Sequence, residues 1–294
     1  SSAASDVYKR QPLDIERTSN DYNFLGNGRK PYYILNILSK QSIPEGGEDG
    51  SAGFLFFETA DGYQFKSIDK LFDKPQKKSY IFNNSTDSQV TPPGYDGKIL
   101  EQQSDSSVNV QSKMNIGAYK TKLVLFDPFN CEYVVEEKTA DEAVQKNKVK
   151  LAGKKLPKFN NKFDTPNKDF TRTTFMLIDS GTLPAGSTDE QIKENQRDNF
   201  KAAQTLNQAI RRYNQLFSGM MEITIAGDFS LHAGDVIFVD IPAIDSEKSD
   251  TLNRESGGLY IIADLCHFVN ADGTYTKLNL ARDSFGRKGN HSKR

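Results

Sequence analysis

The stretch Gly227-Asp228-Phe229-Ser230-Leu231-His232-Ala233-Gly234-Asp235-Val236-Ile237-Phe238-Val239-Asp240-Ile241-Pro242 decides the fold class. Val236 to Ile241 is a short apolar run bounded by turn residues, which reads as a strand. Gly227 and Gly234 suit turns or bulges that lead into strands. Working outward, Met221–Ile225 precedes this run, and Leu259–Val269 and Tyr275–Ala281 follow it. Asp272-Gly273 supplies the last hairpin turn. Upstream, Ser187-Thr188-Asp189-Glu190 has capping-box spacing and opens one long helix over about residues 188–217. Ala203, Leu206, Ile210, Tyr213 and Phe217 recur at steps of three and four. That stripe is expected to lie on the sheet built by residues 221–281, and Gly219 to end the helix. Strands at short intervals with one helix laid against them predict an antiparallel barrel or sandwich, mainly β with α (α+β).

The N-terminal half is read the same way. Pro31 opens a short helix at its first turn, with Ile34, Ile37 and Leu38 on one face. Gly53 to Thr59 and Tyr63 to Ile68 are strands across an Asp61-Gly62 turn, because glycine accepts positive φ at little cost. Asp69 to Phe72 makes a helical turn. Residues 83–113, rich in Asn, Ser, Asp, Gln, Pro and Gly, read as loop. Tyr119–Phe126 and Glu132–Glu136 form a second hairpin around Asp127-Pro128-Phe129-Asn130. Residues 138–165, rich in Lys and Asn, read as a surface insertion with a short helix near Asp141 to Gln145. Thr171 to Asp179 is a further strand.

Composition narrows the function classes. Among 294 residues the formal net charge is -1, which gives no overall basic bias toward nucleic acid or anionic membrane. No apolar run approaches the ~20 residues that a membrane-spanning helix needs. Cys131 and Cys266 lie far apart with no CxxC, so no disulfide framework is implied. One long-range bridge and two free thiols are the alternatives. Buried free thiols of a reduced, intracellular assembly are the expectation. Ser1 to Gln11, SSAASDVYKRQ, looks like the translation of a transposase-based sequencing adapter read from a metagenomic fragment. It is expected to be a non-native leader, with the native chain continuing upstream of Pro12.

The candidates for chemistry are few. Of the three histidines, His291 lies in the basic tail and is expected to be solvated. Cys266 and His267 are adjacent in a strand, so their side chains point to opposite faces and cannot form a nucleophile pair. His232 and His267 show no metal-ligand spacing. Asp228, Asp235 and Asp240 flank strands where a glycosidase pair could in principle sit, but turn chemistry explains them first. Arg211-Arg212 could face nucleic acid or a subunit, and is expected to be the polar side of the helix. No phosphate-binding GxxxxGK[ST] or GxGxxG occurs. No catalytic, cofactor-binding or metal residue is assigned, and no cofactor is expected.

A family resemblance rests on several pieces in order. They are Gly227 to Pro242, Gly258-Leu259-Tyr260-Ile261-Ile262-Ala263-Asp264-Leu265-Cys266-His267-Phe268, and Leu278 to Arg282 followed by Asp283-Ser284-Phe285-Gly286. Upstream, Phe54-Leu55-Phe56-Phe57-Glu58-Thr59 and Gly62-Tyr63-Gln64-Phe65-Lys66-Ser67-Ile68-Asp69 complete it. Together they resemble the baseplate central hub proteins of T-even-type myoviruses, within the tail-hub and spike-hub superfamily. The likeness spans most of residues 31–290.

The resemblance implies antiparallel tube-type β-barrels, a homotrimer in a contractile tail, and assembly in the host cytoplasm into the virion baseplate. It implies a ring with pseudo-sixfold symmetry facing the tail tube protein. On the other side it implies a central spike, which in T-even phages carries a lysozyme domain, and other baseplate proteins around it. It implies no enzyme and no specific nucleic-acid binding. A spike hub of a contractile injection system keeps the fold but changes the machine. A tail-associated peptidoglycan hydrolase would need a catalytic constellation. The expected organisation is a leader at 1–11, the remainder of a truncated N-terminal hub region at 12–104, a C-terminal barrel domain at 105–290 and a basic tail at 291–294.

Overall fold

A computed structural model describes residues 12–19, 22, 24, 26–46, 52–82, 91–105, 110–128, 131–140, 149–157, 172–177, 185–199, 202–241, 256–271, 273–286 and 288–289. The expected leader, the basic tail and the helix near Asp141 to Gln145 lie outside them. The fold is mainly β with helices. Its centre is a closed barrel of six strands.

The barrel wall is built from β4 (Lys78–Ile81), β5 (Gly97–Asp105), β9 (Gly219–Ala226), β10 (Val236–Asp240), β11 (Gly258–Asn270) and β12 (Gly273–Arg282). Side chains alternate along β9. Met221, Ile223 and Ile225 point inward, and Glu222 and Thr224 point out. With Ile99, Leu231, Ile237, Val239, Ile262, Leu278 and Leu280 they fill the lumen with side chains. The pairs β10–β11, β11–β12, β12–β9 and β5–β9 are antiparallel. The pairs β10–β4 and β4–β5 are parallel. Parallel neighbours cannot be joined by a tight hairpin and need a crossover.

This closure corrects the expected organisation. Residues 97–105 are a barrel strand, not loop, and β4 also lies before residue 105. The 104/105 boundary therefore cuts the barrel within its β5 strand. Between β5 and β9 the chain leaves the wall and forms a separate three-stranded sheet in the order β7-β6-β8. Its strands are β6 (Lys120–Asp127), β7 (Glu132–Thr139) and β8 (Arg172–Leu177). A third sheet, β1-β3-β2, comes from β1 (Leu13–Ile15), β2 (Phe54–Thr59) and β3 (Gly62–Ser67). Gly62 has φ 129° at its hairpin, and the next amide, Tyr63, donates to the Pro12 carbonyl at 2.9 Å. A side chain at Gly62 would strike that carbonyl.

Five helices accompany these sheets among the described residues. Pro31 stands at the first position of α1 (Pro31–Gln41), as expected. Ser67 Oγ accepts from the Lys70 amide and starts α2 (Ile68–Asp73). α3 spans Val110–Asn115. Glu190 reaches back to the Ser187 amide and hydroxyl, both at 3.0 Å, and opens α4 (Thr188–Asn199). α5 spans Ala202–Leu216. Its apolar stripe divides between two surfaces. Leu206 and Ile210 pack on Leu123 and Leu125 of β6, not on the barrel as expected. Tyr213 and Leu216 join Ile68, Leu71, Phe72, Ala152, Ile261 and Ala281 on the outside of the barrel. Phe217 lies beyond the helix and is exposed. The helix leans on both sheets because it runs from the inserted sheet into β9.

The 138–165 insertion is also corrected. Val149, Leu151, Ala152 and Leu156 are buried, so residues 149–157 are a strap and not a surface loop. Lys154 and Lys155 exchange backbone hydrogen bonds with Phe285. Substituting Ile210→Asp should destabilise the protein by about 3 kcal/mol or more, since the carboxylate would sit unpaired against Leu123 and Leu125. Urea denaturation measures it, and an unchanged midpoint would show that this contact is not core.

Candidate assembly surfaces and the buried charge network

The carboxylates considered from sequence are engaged in structural contacts. Asp228 pairs with the Lys78 ammonium and accepts from Tyr80 Oη at 3.0 Å, the Ser230 amide at 3.0 Å and Ser230 Oγ at 2.7 Å. Burial opposes its ionisation, but Lys78 and Ser230 outweigh it and hold the carboxyl below its usual range. Burial, and then the Asp228 charge, push the Tyr80 hydroxyl up. A carboxylate so held stays ionised and is a poor general acid. Asp235 pairs with Lys77 at 2.7 Å and accepts from the His232 amide at 2.9 Å. Asp240 accepts from Tyr95 Oη.

The histidines do not gather. His232 Nδ1 lies 3.4 Å from Asp61 Oδ2, whereas His267 Nδ1 meets Thr276 Oγ1 at 2.9 Å under the Phe229 ring. Cys266 and His267 pair with Lys277 and Thr276 in the register, on opposite faces of β11. Both cysteines are free and exposed, which corrects the buried expectation. Cys131 sits at φ 58° in the β6–β7 turn, and Cys266 on the outward face of β11. No group of His, Cys, Asp and Glu among the described residues could hold a metal ion. No described helix is long and apolar enough to cross a membrane.

Arg211-Arg212 is not the polar face of the helix, because both side chains are buried. Arg212, 1% exposed, donates to Asp283 Oδ2 at 2.9 Å, Gln215 Oε1 at 3.2 Å, Asp69 Oδ1 at 2.9 Å and the Lys150 carbonyl at 3.1 Å. The Lys150 amide donates to Asp69 and the Ala152 amide to Asp283. The Gly153 amide donates to Ser284 Oγ, whose hydroxyl donates to Asp283. One guanidinium thus ties α5, α2, the 149–157 strap and the end of β12 together. Burial opposes its charge, but Asp69 and Asp283 outweigh burial and raise its pKa. Nearby, the Arg282 guanidinium lies between the Tyr260 and Phe285 rings, 4.6 and 4.4 Å from their centroids.

Two surfaces differ in character. The outward barrel wall carries Glu222, Thr224, Lys277 and Asn279, with Lys277 and Glu222 paired at 2.8 Å. The outward face of the β7-β6-β8 sheet is apolar. Phe126 stands between Tyr133 and Leu177, and Val124 between Val135 and Phe175. Tyr133 is 72% exposed and Phe175 77%. Contiguous exposed apolar patches of this kind mark contact surfaces.

Against this geometry stands one curated relative. The chain is 20% identical over 283 residues to a probable baseplate hub protein, gp334, of Vibrio phage KVP40. It resembles a baseplate hub-type phage tail protein. The match covers 94% of this chain and 63% of the relative, so the chain spans less than two thirds of the relative's length. No family model matches. Among solved structures, a tail protein from Neisseria meningitidis MC58 aligns at TM-score 0.49 and 12% identity, over 95% of this chain and 64% of that one. The 43 kDa tail protein of prophage MuSo2 from Shewanella oneidensis aligns at 0.42 and 12%, over 92% and 59%.

The motifs that carried the resemblance fall on the barrel and its neighbours: β10, β11, the end of β12, β2 and β3. Sequence reasoning missed Arg212, whose partners are distant in the chain. Replacing it with Met should cost about 3–5 kcal/mol, because Asp69 and Asp283 would remain buried without a cation. Replacing exposed Cys266 with Ser should change stability by less than about 0.5 kcal/mol. Urea unfolding of the two variants checks both values.

Proposed function

We propose that this protein is a non-enzymatic structural subunit of a phage tail baseplate hub. The observation that carries the reading is the match to a probable baseplate hub protein along 94% of the chain. The closed barrel is consistent with it, since a closed sheet has no free strand edges to pair uncontrollably. The occupied carboxylates Asp228 and Asp235 also favour a structural role over hydrolysis.

In this reading the full-length protein is a homotrimer around a central pore, located in the virion tail. A cyclic trimer is the simplest closed ring about an axial channel. One face meets the tail tube protein and the other the central spike, with other baseplate proteins at the rim. The tail is of the contractile kind. A ring of three subunits can match a sixfold tube only if each presents two similar units, so a second barrel belongs to the full-length protein.

Light-scattering mass of the full-length protein, with and without its spike partner, tests the assembly. A mass of three protomers is expected, and a stable monomer under both conditions would reject the hub. Zymography on peptidoglycan should show no band. A band that survives purification and vanishes in Asp228→Asn would overturn the non-enzymatic role.

A further inference from the structure

The buried network around Arg212 holds two carboxylates against one guanidinium. Asp283 is fully buried and Asp69 nearly so. Among the described residues, the groups that act on Asp69 are Arg212 from α5, Asp283 from the segment after β12, and Lys150 from the strap. Only the backbone amide and carbonyl of Lys150 enter the network, because its ammonium turns to Asp73 on α2 at 3.3 Å. Within the network, two carboxylates therefore share one guanidinium away from water. Asp69 Oδ1 takes both donors, the Arg212 guanidinium and the Lys150 amide, while the buried Asp69 Oδ2 has no hydrogen-bond donor among the described residues. An uncompensated buried charge is expensive, and a carboxylate oxygen in that position can relieve it by binding a proton.

We propose that the Asp69–Arg212–Asp283 network is a proton-operated latch, which fastens α2 and the 149–157 strap to the end of the barrel more firmly in mildly acidic solution than at neutral pH. The proposal stands apart from the assembly reading and needs no partner. The electrostatics agree with the geometry. Burial pushes the Asp69 carboxyl up to about 6, against the pull of Arg212 and the Lys150 amide. A carboxyl raised in the folded state binds its proton more tightly there than in the opened state. Its contribution to stability therefore grows as pH falls through about 6, and levels off near the ordinary carboxylate range of about 4. Asp228, held low, acts in the opposite direction and only below that range.

Amide hydrogen exchange on the whole chain at pH 5 and pH 7 tests the latch, with rates expressed as protection factors. The reporters are the Lys150 and Ala152 amides, which donate to Asp69 and Asp283. Their protection should be about tenfold higher at pH 5 than at pH 7. Asp69→Asn, which cannot titrate, should lose that difference. Should Asp69→Asn fail to fold, carbon-13 titration of the wild-type Asp69 carboxyl reads the proton directly, with a midpoint near 6 expected. Equal protection at the two pH values, a difference that survives in Asp69→Asn, or a carboxyl midpoint at about 4 or below would overturn the proposal.

Discussion

The guanidinium of Arg212 is the constraint on which the rest of the structure depends. It is held between carboxylates 143 and 71 residues away in the chain, Asp69 and Asp283. Each sits on a different element, so the ion contacts can form only after the barrel, the inserted sheet and the N-terminal sheet have met in one arrangement. A buried ion pair is a weak source of net stability, because desolvation consumes most of the Coulombic gain. It is a strong discriminator between arrangements, since any packing that separates the partners leaves charges buried alone. The apolar contacts of Ile68, Leu71, Leu216 and Ile261 around it would tolerate small slips. The fixed fork of the guanidinium would not.

The barrel shows the same dependence on distant partners. β11 and β12 form a local hairpin, whereas β9 precedes β10 in the chain but pairs with β12 instead. The wall closes only through β4 and β5, which come from far upstream and bring the parallel pairs with them. The inserted sheet and α5 occupy the chain between β5 and β9. That topology lets the chain leave the barrel, build a second sheet, and return along a helix that touches both.

How much of this was legible follows from where the information lies. The Met221–Ile225 run, the Asp61-Gly62 turn, the Ser187–Glu190 box and Pro31 act within a few residues, and each marks an element that is present, although the one long helix expected after the box is two, α4 and α5. β5 was missed because only Ile99 among Gly97 to Asp105 belongs to the buried core cluster. Leu100 is exposed, and Glu101, Gln102, Gln103 and Ser104 read as loop. That strand is specified by its partner β9, not by its own composition. The strap was missed for a related reason. Its lysines are conspicuous in the sequence, whereas the burial of Leu151, Ala152 and Leu156 depends on groups supplied from after residue 280.

The candidate chemistry was legible chiefly by exclusion, and the charge network shows the limit of that method. Asp228, Asp235, His232 and His267 stood out because their residue types carry reactions, yet each is consumed by a turn or a neighbouring side chain. Arg211-Arg212 was discounted because a charge pair on a helix is usually solvated. Helix periodicity places a residue on a face, but it does not say what covers that face. Here α5 has no wet face at Arg211 and Arg212, because the inserted sheet lies on one side and the barrel on the other. A helix enclosed in this way turns its polar residues inward as connectors. Asn207 joins Thr121 to the Glu136 carbonyl, Gln215 reaches the Ala118 carbonyl, and Arg212 joins the strap to the barrel. The inserted sheet, with its apolar outer face, is thereby fixed to the barrel by polar bonds from a single helix.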